Sequence, residues 1–247
     1  MATPYEEDLA DEDGMHIVRL VRDFHVVPKG GELDPRFAEA DLAFVEQMAR
    51  HHQGAVDMAE TYLADPRARN PVLRRLAGGI IANQRFEIDL LGNVRSSVEA
   101  GPRPIFEVGS SQIVALDRGI DGLEHVWKFR KASPPSIADI WLTPGFAVSD
   151  FDVQFVRPMV QHHQAALQMA EQYNSDPVAT NLLLRRLNND IMVDQRYEIG
   201  FIESVLARYP DDPQGVPEDP RMMEIMHRSM GDMMMHGPGG GMEMPAH

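Results

Sequence analysis

The chain has 247 residues, 43% of them hydrophobic, with sixteen methionines, no cysteine and a formal charge of −15. This supplies a core for one large or two small domains, and it excludes the basic patches that nucleic acid or an anionic membrane demands. Without thiols any metal falls to His, Met or carboxylate, and no apolar run approaches the ~20 residues of a membrane span, so no membrane insertion is expected.

Residues 1–33 read as an acidic N-terminal arm. MATPYEEDLADEDG carries no pattern, and Met15 to Val27 fits a short helix or a strand equally well. The start has neither a basic stretch nor an apolar run of the signal-peptide kind, which leaves cytoplasmic and exported readings open. After the turn at Pro28 to Gly31, Asp34 followed by Pro35 has the form of a helix start. That helix is predicted to reach about Ala64, with Phe44, Met48, His51, Ala55, Met58 and Tyr62 on one face. Asp65-Pro66 ends it, and Asn70-Pro71 opens a second helix to about Val98. The second stripe is Leu73, Leu76, Ile80, Gln84, Glu87 and Leu91, so two polar residues stand where the period demands apolar ones. Buried polar groups need partners.

The pair of helices then recurs. FVEQMARHHQGAVDMAE, from Phe44, returns without a gap as FVRPMVQHHQAALQMAE, from Phe155, at an offset of 111 positions that carries His51 to His162. The offset holds from Asp41 and Asp152 through Gln84/Glu87 and Gln195/Glu198, and the second stripe repeats as Leu184, Leu187, Ile191, Gln195, Glu198 and Ile202. Two helical hairpins predict an all-α four-helix bundle over 34–209, with repeat one at 41–98, a crossover at 99–150 and repeat two at 152–208. The crossover is too long for a bare loop. It is expected to hold short helices at Ile120 to Lys131 and Ile137 to Leu142, with Trp127, Phe129, Trp141 and Phe146 packing on the bundle. Residues 210–247 read as a Pro/Asp linker, a last helix opened by Asp219-Pro220, and a Met/His-rich C-terminal extension.

Residues three and four apart share a helical face at about 5–6 Å between Cβ atoms, so Met48 with His51 or His52, and Met159 with His162 or His163, form two-ligand clamps. Adjacent histidines diverge by about 100°, which sends one toward the bundle centre and the other toward a helix seam. Met58 and Met169 lie about 10.5 Å further along the axis and rank as second-tier ligands. Di-iron bundles place Glu-x-x-His on their helices, whereas here both copies have methionine three residues before the histidine. Thioether plus imidazole without thiolate suits Cu(I), and Ag(I) by the same softness. The plainer alternative makes the methionines core filler and hydrogen-bonds the histidines to Gln84/Glu87 and Gln195/Glu198. Against it, two adjacent buried imidazoles, twice over, carry a desolvation cost that apolar residues avoid. Met226, Met230 and Met234, with His227, His236, Met242, Met244 and His247, are either further soft ligands or a stripe that docks on the bundle or on a protein partner. Arg85 and Arg196 are expected to pair with nearby carboxylates.

Met-x-x-His-His-x-x-Ala-x-x-Met-Ala, followed by Gln84-x-x-Glu87-Ile88 or Gln195-x-x-Glu198-Ile199, resembles the ferritin-like bacterial family named domain of unknown function 305. Both copies match, as does the Asp-Phe-Asp-x-x-Phe lead-in at Asp150 to Phe155, over roughly residues 38–208. The resemblance implies a ferritin-like helical bundle, usually secreted or periplasmic, in which some members bind copper or silver through Met and His. The positions it carries over are Met48, His51, His52, Met58, Met159, His162, His163 and Met169. Where the family often has a further methionine three residues after Glu-Ile, this chain has Leu91 and Ile202. The expected function is non-enzymatic sequestration or transfer of monovalent metal in the cell envelope. The alternatives are a metal-dependent oxidoreductase, with Glu87 and Glu198 converging on an ion pair, and a metal-free helical scaffold.

Overall fold

The computed structural model describes residues 7–10, 17–122 and 132–231, and it is mostly helical with one small sheet. Helix α1 (Arg36–Ala64) begins where the Asp34 carboxylate accepts the Arg36 N–H at 3.0 Å. Helix α2 (Pro71–Glu99) is capped by Asn70, whose side chain accepts from the N–H groups of Val72 and Leu73. In the second copy, α4 (Asp150–Ser175) opens with a Ser149/Asp152 capping box, and Asn181 caps α5 (Leu182–Leu206) as Asn70 caps α2. These caps satisfy backbone donors that a helix start leaves unpaired.

Every position of the predicted stripes on α1, α2 and α5 is buried. Helices α1 and α4 run antiparallel at the centre: Tyr62 stacks on Phe151 and Phe155, and Phe44 meets Tyr173 at the opposite end. Two apolar clusters result. One joins the C-terminal half of α1 and the N-terminal half of α4 to Leu73, Leu76 and Ile80 of α2 and to Phe201, Ile202 and Val205 of α5. The other joins the opposite halves of the same four helices. Each fully buried Leu, Ile or Met in them contributes roughly 1.5–3 kcal/mol relative to exposure. Helix α6 (Pro220–Met230), capped by Asp219, lays Met222, Met226 and Met230 into the first cluster. Of the expected stripe, Met226 and Met230 therefore dock with Met222 on the chain's own helical core, and Met234 lies outside the described residues.

The all-α expectation holds for most of the described residues and is corrected at one place, a four-stranded antiparallel sheet. Strands β1 (Glu7–Ala10), β2 (Ile17–Pro28), β3 (Arg103–Val108) and β4 (Ser111–Asp121) lie in the order β1-β2-β4-β3. Part of the supposed arm is thus paired with part of the crossover. The ladder shifts between Val21/Gly119 and Arg22/Asp117, which makes Arg118 the extra residue of a bulge. A bulge re-aims its side chain, and Arg118 points inward with no exposed surface. It donates to the carboxylates of Asp23 and Asp41, the Phe37 carbonyl and the Thr180 hydroxyl, tying sheet to helices. Gly119 beside it has φ +138°, and a Cβ there would approach Leu183 to 3.0 Å.

The predicted helix at Ile120 to Lys131 is corrected at its start, since Ile120 and Asp121 close β4; residues 123–131, with Trp127 and Phe129, lie outside the described residues. The short helix α3 (Ile137–Leu142) forms as predicted, capped by Ser136 and Asp139. Phe146 packs on the first core, whereas Trp141 is 67% exposed, its ring covered on one side by the Arg208 guanidinium. The Pro/Asp linker is held rather than loose: Arg157 donates to the carbonyls of Pro213 and Val216, and Gln154 to that of Pro217. Residues 1–6, 11–16 and 232–247 are outside the described residues, and with them most of the acidic start and the tail from Met233 to His247. Among the described residues no helix is long and apolar enough to cross a membrane.

Candidate functional site

Where α1 and α4 cross, the two copies of the histidine motif meet. The rings of His51 and His162 lie with centroids 3.6 Å apart and planes inclined by 31°, both essentially without solvent exposure. Burial holds both imidazoles well below their ordinary pKa, and the charges of the neighbouring histidines push the same way. They are therefore neutral at pH 7, the form in which imidazole offers a lone pair. Both ring nitrogens of His51 and Nδ1 of His162 lack an aligned hydrogen-bond partner.

His162 Nε2 stands 3.1 Å from the Ser229 hydroxyl of α6, and that hydroxyl donates its single hydrogen to the Met226 carbonyl at 2.9 Å. With its hydrogen on that carbonyl, the Ser229 oxygen accepts from His162, the arrangement in which Nε2 carries the proton and Nδ1 the lone pair; donation by Ser229 to Nε2 belongs to the other tautomer.

The second histidine of each motif turns toward the partner helix of its own hairpin. His163 Nε2 lies 2.6 Å from the Glu198 carboxylate and His52 Nε2 2.9 Å from that of Glu87, the latter off the hydrogen-bond line. Nδ1 of both histidines has no partner, nor do the buried Oε1 atoms of Gln84 and Gln195. The carboxylates, and not the amide oxygens, reach the imidazoles.

The four methionines of the motifs are buried but divided. Met48 and Met169 belong to one core cluster, Met58 and Met159 to the other. Met48 and Met159 sit one turn before the central histidine pair on their own helices, whereas Met58 and Met169 pack further along, among the aromatic side chains of the cores. Among the described residues no three His, Asp or Glu side chains gather closely enough to hold a metal ion. A metal site at the histidine pair therefore depends on soft sulfur donors as well as nitrogen.

Around this centre the repeats exchange hydrogen bonds. Tyr62 of the first copy donates to Asp152 of the second at 2.6 Å, and Tyr173 of the second to Asp41 of the first at 2.7 Å. Burial raises both phenol pKa values, and the adjacent carboxylates add to the shift. Arg85 pairs with Glu60, and Arg196 with Glu171, which meets the expectation of nearby carboxylate partners. Sequence reasoning missed Ser229, although a signal was present: Gly54 stands where the second copy has Ala165. A Cβ at Gly54 would lie 2.2 Å from the Cβ and hydroxyl of Ser229, so only glycine lets α6 approach.

A family model for a domain of unknown function, DUF305, matches residues 32–95 and 152–246. The chain belongs to that family. The matched DUF305 segments take in all four motif histidines, both glutamates that face them, and α6. No curated protein and no solved structure matches the chain.

Proposed function

We propose that this DUF305 protein binds soft monovalent metal, copper(I) and by the same chemistry silver(I), as cargo to be sequestered or handed on. In this reading it is a secreted or periplasmic protein of the bacterial cell envelope, the location that the family resemblance implies, and its hairpins form a ferritin-like four-helix bundle. The observation that carries the reading is the set of buried ring nitrogens: Nδ1 of His51, His52, His162 and His163 all lack an aligned hydrogen-bond partner, with the rings of His51 and His162 each lying near the other's backbone. Meanwhile Nε2 of His52, His162 and His163 faces Glu87, Ser229 and Glu198. An imidazole whose far nitrogen faces a carboxylate or hydroxyl presents the near one as a metal ligand. The donor set fits the cargo, because thioethers at Met48 and Met159, one helical turn from the neutral imidazoles of His51 and His162, favour Cu(I) and Ag(I) over iron or magnesium. Nothing in the site requires turnover, and the role is non-enzymatic.

A metal-dependent oxidoreductase needs Glu87 and Glu198 to share an ion pair, and here each carboxylate lies against its own histidine. The metal-free scaffold draws support from those His–Glu pairs as register-fixing contacts, but it gives no role to His51, whose two ring nitrogens are both without an aligned partner.

Protein prepared without chelator or histidine tag is expected to take up at least one Cu(I) or Ag(I) against a chelating competitor. The variant carrying His51→Ala and His162→Ala should bind less. Unchanged stoichiometry in that variant would sink the site.

A further inference from the structure

The central histidine pair is closed off by an element that belongs to neither repeat. Helix α6 packs along α1 and α4, with Met222 and Met226 fully buried and Met230 nearly so. Ser229 sits on His162 and over Gly54. At its exposed edge α6 is held by Arg228, whose guanidinium donates to the Asp57 carboxylate at 3.1 Å. An eleven-residue helix is too short to persist in water by itself, so its order comes from this docking surface. Such peripheral elements open at lower free energy than the core they cover.

We propose that α6 is a hinged cover on the His51–His162 pair, and that Ser229 is a positioning residue which fixes His162 in its Nε2–H form whenever the cover is down. This rests on the soft-metal reading for what enters, but not for the cover itself. With α6 docked, His51 and His162 are sealed from solvent. With α6 lifted, the seam between α1 and α4 is open to an incoming ion. On return, the chain from His162 Nε2–H through the Ser229 hydroxyl to the Met226 carbonyl leaves Nδ1 as the only lone pair of that ring. Among the described residues no hydroxyl faces His51 as Ser229 faces His162, so the two halves of the pair are unequal.

Gly54→Ala tests this with every histidine and methionine retained, because its Cβ meets Ser229 at 2.2 Å and forces α6 away; it also comes within 3.1 Å of His162 Nε2, so its rates are read beside those of Arg228→Glu, which leaves that ring untouched. Gly78→Ala is the control, since a Cβ there meets nothing within 4 Å. Arg228→Glu provides a milder release from the surface by repelling Asp57. The readouts are the rate at which diethyl pyrocarbonate acylates His51 and His162, the rate of Ag(I) uptake, and the ¹⁵N shifts of the His162 ring, all on the full chain. Both rates should rise about tenfold in Gly54→Ala, which corresponds to about 1.4 kcal/mol of docking lost. They should rise less in Arg228→Glu and stay unchanged in Gly78→Ala, and His162 should lose its Nε2–H preference in Gly54→Ala. A folded Gly54→Ala protein with wild-type rates overturns the cover; if that variant does not fold, equal rates in Arg228→Glu and wild type overturn it. Acylation that accelerates as expected, in protein that takes up no Ag(I) in any form, sinks the soft-metal reading and leaves the cover standing.

Discussion

The two repeats carry nearly the same motif residues, yet the two ends of the molecule they build are not alike. At one end Asp41, fully buried, accepts from Tyr173, Asn181 and the inward guanidinium of Arg118. At the other, its counterpart Asp152 accepts from Tyr62 and closes a capping box with Ser149. The crossover touches both hairpins through matched arginines, Arg75 with Asp139 of α3 and Arg186 with Asp121 of β4. Duplicated residues thus set a reciprocal core, and residues present once make its ends different. One end is locked to a sheet by a buried cation, and the other carries a docked helix.

The sharpest way to break this contrast is Arg118→Met. It strands the Asp41 carboxylate in the interior, and urea unfolding should register a loss of about 3–5 kcal/mol. Acidification comes next. Because the folded-state pKa values of His51 and His162 are depressed, the unfolded chain binds more protons below about pH 6.5, and stability should fall as the pH drops from 7 toward 5. The slope for two protons is at most about 2.7 kcal/mol per pH unit, and metal-free protein carrying His51→Ala and His162→Ala should lose it. Tyr62→Phe and Tyr173→Phe should each cost about 1–2 kcal/mol in denaturant titrations. The Tyr62 change should be the larger if Ser149 supports Asp152 less well than Arg118 and Asn181 support Asp41, and equal losses would erase the difference between the ends. The smallest effect is expected from Ala165→Gly, the mirror of the Gly54 difference. It should lower stability by about 1 kcal/mol through helix propensity alone, measured by thermal unfolding, and leave Ag(I) uptake rates untouched.

The helical part of this organisation was legible because its stripes keep the helical period even where His51, Gln84 and Glu87 replace apolar residues, and Asp34, Asn70 and Asp219 mark helix starts that the structure reproduces. Of the sheet only β2 was legible, as one of the two readings of Met15 to Val27. Strand β2 finds its partner in β4, far along the chain, and β4 lacks the alternation that identifies a half-buried strand: Val114, Ala115 and Leu116 are buried in succession, and the bulge at Arg118 shifts the pattern beyond them. At the site, each motif separately predicts two diverging imidazoles, one toward its own hairpin partner. That His51 should face His162 depends on how two distant hairpins cross, and helical spacing within a single copy carries no information about that crossing.

The Tyr–Asp exchange between copies has a consequence for how the molecule holds together. Each hairpin's tyrosine finds its acceptor in the other copy, and each aspartate takes one of its donors from there. A boundary drawn between repeats in sequence therefore cuts through a single cooperative unit, and the crossover is a tether and not a seam. The pattern is that of an isologous contact, in which the same surface serves both sides. It is the arrangement of a symmetric homodimer whose two subunits have been joined into one chain.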